Sequence, residues 1–113
     1  MHEYSIVQAL VGRVEVEAKA HTATAIHRLH VRIGELSGVE ASLLATAFEL
    51  FREKTVCEGT ELAIESVPVR WECRACGRAI PRGEVLRCTG CGGSARLVEG
   101  DEIVLSRIEM EVA

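Results

Sequence analysis

Several features are scarce or missing in this chain of 113 residues, and each absence narrows the classes of function. No apolar run approaches the roughly eighteen residues that a membrane-spanning helix needs. The first residues are acidic and amphipathic rather than basic and then apolar, so we expect no signal peptide. The formal net charge of −4 argues against a general nucleic-acid binder, because affinity for phosphates depends on Lys and Arg.

Cysteine, by contrast, is well represented, with four of the five residues arranged in two pairs. The first pair lies in Cys73–Gly77 (CRACG) and the second in Cys88–Gly92 (CTGCG). Each pair puts two thiolates on one tight turn, and the Gly that follows can adopt a positive φ that lets backbone N–H groups point at sulfur. Four thiolates gathered in this way form a tetrahedral, soft-ligand cage that suits Zn²⁺. We therefore predict a structural zinc site at Cys73, Cys76, Cys88 and Cys91.

An alternative interpretation treats the same pairs as two disulfides or as a redox-active dithiol. A redox Cys-x-x-Cys motif normally opens a helix in a thioredoxin-like unit, but no helical pattern begins after either pair. Cysteines in metal-type pairs are typical of a reducing compartment. We expect a cytoplasmic protein whose fifth thiol, Cys57, is partly buried and inert.

Hydrophobic periodicity predicts two amphipathic helices. The first covers residues 3–20, where Ser5 with Gln8 fits a capping box near the start. Its buried stripe consists of Ile6, Val7, Leu10, Val14 and Ala18. The second runs from about Glu40 to Lys54, with Leu44, Ala47, Phe48 and Phe51 on its buried stripe.

Three stretches, residues 25–33, 61–67 and 101–112, are predicted to be strands. In the first, alternation puts Leu29, Val31 and Ile33 on one face and Arg28, His30 and Arg32 on the other. In the last, the apolar face is predicted to consist of Val104, Ile108, Met110 and Val112.

The order helix, strand, helix, strand, ribbon, strand predicts an α+β fold. It consists of a three-stranded sheet with two helices on one face, plus an inserted four-cysteine zinc-ribbon module. We expect one domain from residues 1–69 and 100–113 and a zinc-ribbon domain from residues 70–99. About thirty residues cannot bury enough apolar surface alone, so metal binding must contribute to folding the ribbon.

Some conspicuous side chains have ordinary structural interpretations. His27 falls on the apolar side of its predicted strand, whereas His30 is expected to face solvent. Glu109 and Glu111 form a solvated strand face, and Trp71 is expected to pack under the ribbon.

The first three residues, Met1-His2-Glu3, form a potential chelate. The terminal amine, the backbone nitrogen of His2 and its imidazole can bind one cation, and the Glu3 amide nitrogen or carboxylate can supply a fourth donor. Because His2 is too bulky for ordinary removal of the initiator, we expect Met1 to remain. A nitrogen-rich, near-planar donor set favours Ni²⁺ or Cu²⁺ over Zn²⁺. Taken alone, however, a His after the initiator is more typical of a solvated terminal residue.

The combination of motifs carries more information than any one of them. Met1-His2-Glu3 with Ser5, the segment Gly34–Val39 (GELSGV) and the two Cys pairs together resemble the HypA/HybF family of hydrogenase-maturation nickel metallochaperones. The resemblance covers essentially the full length, although Thr89 stands where relatives often have Pro. It implies a carrier rather than an enzyme.

The resemblance also implies ligands and partners. Met1, His2 and Glu3 would bind the transferred Ni²⁺, with His2 as the essential ligand. Cys73, Cys76, Cys88 and Cys91 would hold structural Zn²⁺. The partners would be the HypB-type GTPase and the large subunit of a [NiFe]-hydrogenase, and some relatives also serve urease, which adds urease accessory proteins to the candidates.

A rival function is a zinc-ribbon module that binds nucleic acid or a transcription complex. Residues 70–99 contain six Arg against three acidic residues. A zinc-tetrathiolate centre carries a charge of about −2, however, which nearly cancels that excess, and only Trp71 offers an aromatic ring for base stacking. We therefore expect no nucleic-acid and no membrane partner.

Overall fold

The computed structural model describes residues 2–81, 83 and 85–113, with only the backbone of His2 described. The helices are α1 (His2–Ala20) and α2 (Ala41–Phe51). The strands are β1 (Ala23–Gly34), β2 (Glu61–Val67), β3 (Arg70–Cys73), β4 (Ala79–Ile80), β5 (Ala95–Glu99) and β6 (Ile103–Val112). Neither helix in the described part of the chain is long and apolar enough to cross a membrane.

The larger sheet is mixed, with the strand order β2-β1-β6. Strand β1 runs parallel to β2 and antiparallel to β6. The parallel pair requires a crossover connection, which α2 supplies. Two helices, a three-stranded sheet and a separate small sheet bearing four clustered cysteines confirm the predicted fold class.

Both helices pack with one face of this sheet into a single hydrophobic core. The fully or almost fully buried side chains include Val7 and Val14 of α1, Leu29 and Val31 of β1, and Leu44 and Phe48 of α2. Burying each such side chain contributes about 1.5–3 kcal/mol. The helical stripe predicted for α1 is confirmed, because Val7, Leu10, Val14 and Ala18 are buried and Ile6 packs against them.

The predicted capping box of α1 and the predicted end of α2 are wrong. Helix α1 already begins at His2, so Ser5 lies inside the helix and not at its N-cap. Helix α2 ends at Phe51 rather than Lys54. Lys54 has a φ of 62°, a left-handed conformation that cannot continue a right-handed helix.

A β-bulge corrects the prediction for His27. The pairing of β1 with β6 shifts between Ile26 and Arg28, and a bulge of this kind changes which face the following residues occupy. Ile26 and Leu29 are therefore both buried, while the His27 side chain is 56% exposed. The apolar-side position predicted for His27 is wrong.

A second irregularity corrects the face assignment of β6. His30 pairs with Arg107 and Val31 pairs with Leu105, so the register skips Ser106. The side chains that reach the core are Ile103, Leu105, Ile108 and Met110. Val104 and Val112 are exposed, contrary to the predicted apolar face.

The histidines of β1 bind glutamates of β6 on the outer face of the sheet. The His30 Nε2 lies 2.5 Å from Glu109 Oε2, and the His27 Nε2 lies 2.7 Å from Glu111 Oε1. His30 is half-buried rather than simply solvated. The predicted solvated face thus consists of cross-strand pairs, the usual unit of sheet stabilisation.

The smaller sheet has the order β4-β3-β5, with antiparallel pairing throughout. Its core is a small cluster of Cys73, Ile80 and Cys88, against which Trp71 and Ala95 pack. The predicted packing of Trp71 under the ribbon is confirmed.

Candidate metal centre

The four paired cysteines meet at one point, with all their Sγ atoms within 4.8 Å of one another. The Sγ atoms of Cys73 and Cys91 are 3.4 Å apart, and those of Cys76 and Cys88 are 3.7 Å apart. A tetrahedral ion with Zn–S bonds of about 2.3 Å separates its sulfurs by about 3.8 Å. The donor set therefore fits one zinc ion. All five cysteines are free thiols, which does not support the disulfide alternative.

Each pair lies on a turn closed by backbone hydrogen bonds. In the first turn, the N–H of Gly77 donates to the carbonyl of Cys73 at 2.9 Å, and the N–H of Cys73 donates to the carbonyl of Arg78 at 2.8 Å. The N–H of Cys76 also donates to the Sγ of Cys73 at 3.5 Å. Gly77 has a φ of 76°, which confirms the role predicted for the glycine after the pair.

The second turn repeats the first. The N–H of Gly92 donates to the carbonyl of Cys88 at 2.9 Å, and the N–H of Cys88 donates to the carbonyl of Gly93 at 2.8 Å. Gly92 has a φ of 75°. Two equivalent turns therefore present their sulfurs to each other, Cys73 to Cys91 and Cys76 to Cys88.

Gly93 is a residue of the site that sequence reasoning missed. A Cβ atom at this position would lie 2.7 Å from the Sγ of Cys73 and 3.3 Å from the Sγ of Cys91. Any side chain here would displace a ligand. The signal was present as the Gly-Gly pair that follows Cys91.

The charges of the four-cysteine cluster favour a bound cation. The N–H of Cys76 donates a hydrogen bond to the Sγ of Cys73 and is the main cause that lowers the pKa of the Cys73 thiol to about 6. The N–H groups of Cys91 and Gly90 lower the pKa of Cys88. For Cys91, the N–H of Gly93 lowers the pKa, but hydrogen bonds with the three other thiols raise it to about 11. Four thiolates at this spacing repel one another, and a bound divalent cation removes that obstacle.

The predicted nickel ligands lie mostly outside what the structure describes. Met1 is not among the described residues, and only the backbone of His2 is described. Glu3 lies in the first turn of α1 and is half-buried. Among the described side chains, the four cysteines are the only group of three or more metal ligands within reach of one ion.

Comparison with known proteins places these observations in a family. A family model described as "Hydrogenase/urease nickel incorporation, metallochaperone, hypA" matches residues 1–110. The chain belongs to the HypA family. The resemblance noted in the sequence is thereby confirmed.

Curated HypA relatives match along nearly their whole length. The hydrogenase maturation factor HypA of Wolinella succinogenes is 43% identical, and the match covers 98% of this chain and 96% of the relative. The HypA of Aquifex aeolicus is 39% identical, with 99% of both chains covered.

A solved HypA structure shows the same architecture. The solution structure of the nickel metallochaperone HypA from Helicobacter pylori has a TM-score of 0.74 and 34% identity, with 98% of both chains covered. As a HypA family member, the chain is a nickel metallochaperone for hydrogenase maturation with a four-cysteine site that fits zinc, and it works with the maturation machinery. It is a carrier and not an enzyme.

Two of the six arginines in residues 70–99 are paired with carboxylates. Arg70 and Arg96 both bind the carboxylate of Glu72, and Arg70 also binds Glu99. These guanidinium groups already have carboxylate partners within the ribbon and would have to leave them to bind phosphates.

Proposed function

We propose that this chain binds Ni²⁺ at Met1, His2 and Glu3 and delivers it to the large subunit of a [NiFe]-hydrogenase. In the same proposal, Cys73, Cys76, Cys88 and Cys91 hold a structural Zn²⁺. The observation that carries the nickel assignment is the start of α1 at His2. The first four N–H groups of a helix have no acceptor within it, so the backbone nitrogens of the first residues are not committed to helical hydrogen bonds.

The helix also makes this terminus a site that releases its ion. The positive end of the helix dipole, about half an elementary charge, disfavours a bound cation. Glu3, in the first turn of α1, partly offsets that charge. A carrier needs such a balance, because its ion must be gathered and then given up to another protein.

Transfer proceeds by associative ligand exchange in this proposal. A terminal site with few side-chain ligands leaves coordination positions open, so the ligands of the recipient can bind before those of the donor leave. The terminal amine and the imidazole have ordinary pKa values of about 7.7–8.0 and 6.5, and both must be in their unprotonated form before they bind nickel. A backbone nitrogen that binds nickel must also release its amide proton to solvent.

An apolar groove borders the proposed nickel terminus and supports its use in transfer. Glu3 and Tyr4 line it on α1, and Leu43, Ala47 and Leu50 line it on α2. Its leucines are largely exposed, and exposed apolar patches often mark interaction sites. Because the recipient must reach the terminus next to this groove, we propose that the hydrogenase large subunit covers it during transfer.

The remaining partners follow from the family resemblance. We propose cooperation with a HypB-type GTPase in the cytoplasm before delivery. The description of the family model includes urease as well as hydrogenase, which supports urease accessory proteins as a second set of partners. We also propose that residues 1–69 with 100–113, and residues 70–99, are separate domains.

Nickel titration of the untagged, zinc-loaded protein tests the terminal site. We expect His2→Ala to abolish nickel binding and to leave the zinc content unchanged, since the two sites share no ligand. His21→Ala is the matched control, because it removes an exposed histidine at the other end of α1. Full nickel occupancy in His2→Ala, or in a protein with a residue added before Met1, would contradict the assignment.

The pH dependence of nickel binding provides a second test. Because two donors lose protons near neutrality, nickel affinity should fall steeply as the pH is lowered from about 8 to 6. An affinity that stays constant over this range would exclude the amine and imidazole as ligands.

The groove can be tested apart from the nickel site. Leu50→Asp should weaken the complex with the hydrogenase large subunit while nickel affinity remains unchanged, because a buried carboxylate opposes docking. Val16→Asp, which also adds a charge at an exposed apolar position, is the control. Equal binding by both variants would show that the large subunit does not use the groove.

A further inference from the structure

Neither metal site uses residues 34–39, which comprise the last residue of β1 and the turn after it. This segment lies where the chain passes twice between the two sheets. Residues 67–69, the last residue of β2 and the two after it, lead to β3, and residues 100–102 lead from β5 to β6. We refer to these two stretches as the first and second crossings.

Three successive N–H groups of the segment bind the two crossings alternately. Gly34 donates to the carbonyl of Glu102 at 2.8 Å, Glu35 to that of Val67 at 2.9 Å, and Leu36 to that of Gly100 at 2.6 Å. The segment therefore bridges both crossings through its backbone.

The side chain of Glu35 adds a fourth bond. Its Oε1 accepts a hydrogen bond from the N–H of Val69 at 2.9 Å. Val69 directly precedes β3, so Glu35 holds the first crossing at the point where it enters the ribbon.

Two glycines let the three backbones touch. A Cβ on Gly34 would lie 2.3 Å from the carbonyl carbon of Gly100. Gly100 has a φ of 107°, and a Cβ there would lie 2.5 Å from the Cα of Val69. Side chains at either position would force the segment and the crossings apart.

We infer that Glu35 is a positioning residue, which together with the backbone of residues 34–36 clamps both crossings and fixes the orientation of the ribbon. Without such a clamp, two short connections would let the ribbon move relative to the larger sheet. The segment continues directly into α2, which borders Glu3 and Tyr4. The clamp thus fixes the orientation of the ribbon relative to α2, the helix beside the chain terminus. This inference does not depend on nickel binding at the terminus.

Backbone ¹⁵N relaxation of the zinc-loaded full chain tests the clamp. In the unaltered protein, the amides of both sheets should report one rotational correlation time. In Glu35→Ala, the amides of residues 70–99 should report a shorter time than those of β1, because the ribbon reorients on its own. Glu35→Gln keeps an acceptor oxygen and should match the unaltered protein, as should Asp101→Ala, which removes an exposed carboxylate from the second crossing.

Hydrogen exchange of the Val69 amide gives a readout of the bond itself. Loss of one hydrogen bond should speed its exchange about fivefold in Glu35→Ala, with unchanged exchange in Asp101→Ala. Equal zinc content in all variants shows that the ribbon remains folded.

Several results would overturn the clamp. One is a single correlation time throughout Glu35→Ala, and another is independent tumbling of the ribbon in the unaltered protein. A third is independent tumbling in Glu35→Gln. If Glu35→Ala does not fold, the unaltered protein still decides the matter, since a Val69 amide that exchanges as fast as an unstructured one excludes the bond.

Discussion

The α/β region, residues 1–69 and 100–113, and the ribbon, residues 70–99, reach stability by different means. Among the residues that the structure describes, one cluster of twelve buried residues fills the core of the α/β region. The buried cluster of the described part of the ribbon has three, two of which are cysteines of the metal centre. A cluster of three cannot offset the conformational entropy of about thirty residues. One short chain thus combines a region that folds on apolar burial with a region that needs an ion.

Removal of zinc should separate the two regions most strongly. Structural zinc contributes about 10–16 kcal/mol of apparent binding free energy in small domains, far more than the ribbon cluster can supply. We expect a strong chelator to collapse the amide chemical-shift dispersion of residues 70–99 in NMR spectra, while α1 and β1 keep theirs.

Re-addition of zinc is the control and should restore the dispersed spectrum. A ribbon that keeps its amide shifts with no metal bound would show that the comparison between the regions is wrong.

The second largest effect should come from truncation in the core of the α/β region. Leu44 is fully buried and Leu50, on the same helix, is 72% exposed. Leu44→Ala should lower the free energy of unfolding by about 2–5 kcal/mol, because it loses apolar burial and leaves a cavity. Urea denaturation monitored by helical circular dichroism measures this change.

Leu50→Ala is the matched control and should change stability by less than about 0.5 kcal/mol. The zinc content of both variants should stay equal to that of the unaltered protein. Equal destabilisation by the two substitutions would contradict the position of Leu44 in the core and of Leu50 at the surface.

The reactivity of the cysteine thiols also distinguishes the two regions. Burial of Cys57, and to a smaller extent the charge of Glu15, raise the pKa of its thiol to about 11. At pH 8 only about one molecule in a thousand then carries the Cys57 thiolate, which is the reactive form. Zinc removal should unfold the ribbon and abolish the hydrogen bonds among its four thiols, so that these four cysteines react as ordinary thiols. An aromatic disulfide reagent should then modify them quickly and Cys57 only on denaturation.

The pH dependence of folding stability gives a second test of the buried position of Cys57. A raised pKa means that the folded state favours the protonated thiol, so this contribution to stability is complete below about pH 9 and is lost between about pH 9 and 11. Cys57→Ser should remove that part of the alkaline loss of stability. Five cysteines reacting equally fast at pH 8 would contradict the buried position.

The parts of the fold that the sequence predicted are those set by local pattern. The spacing of Val7, Leu10 and Val14 fixes one face of a helix whatever the rest of the chain does. Likewise, Cys-x-x-Cys-Gly specifies its turn within five residues, so the positive φ of Gly77 and Gly92 was predictable.

The bulges and the clamp could not be predicted, because they depend on contacts between residues that are far apart in the chain. The exposure of His27 and the skipped Ser106 depend on the register between β1 and β6, which are about eighty residues apart in the chain. From sequence alone, the GELSGV motif of residues 34–39 contributes to the family resemblance. Its role requires the positions of Gly100 and Val69, which no local pattern contains.

The smallest effect is expected on the outer face of the larger sheet, where stability comes from neither the core nor a metal. The hydrogen bond from His30, together with the nearby charge of Arg28, holds the pKa of Glu109 below its ordinary value of 4.5. A lowered pKa favours folding above about pH 4.5, and this contribution is lost as the pH falls through the folded-state pKa. His30→Ala should therefore raise the pKa of Glu109 in a carboxyl NMR titration. His27→Ala should leave the pKa of Glu109 unchanged, because His27 binds Glu111 instead. An equal shift in both variants would mean that general surface charge, rather than the cross-strand hydrogen bond, sets this pKa.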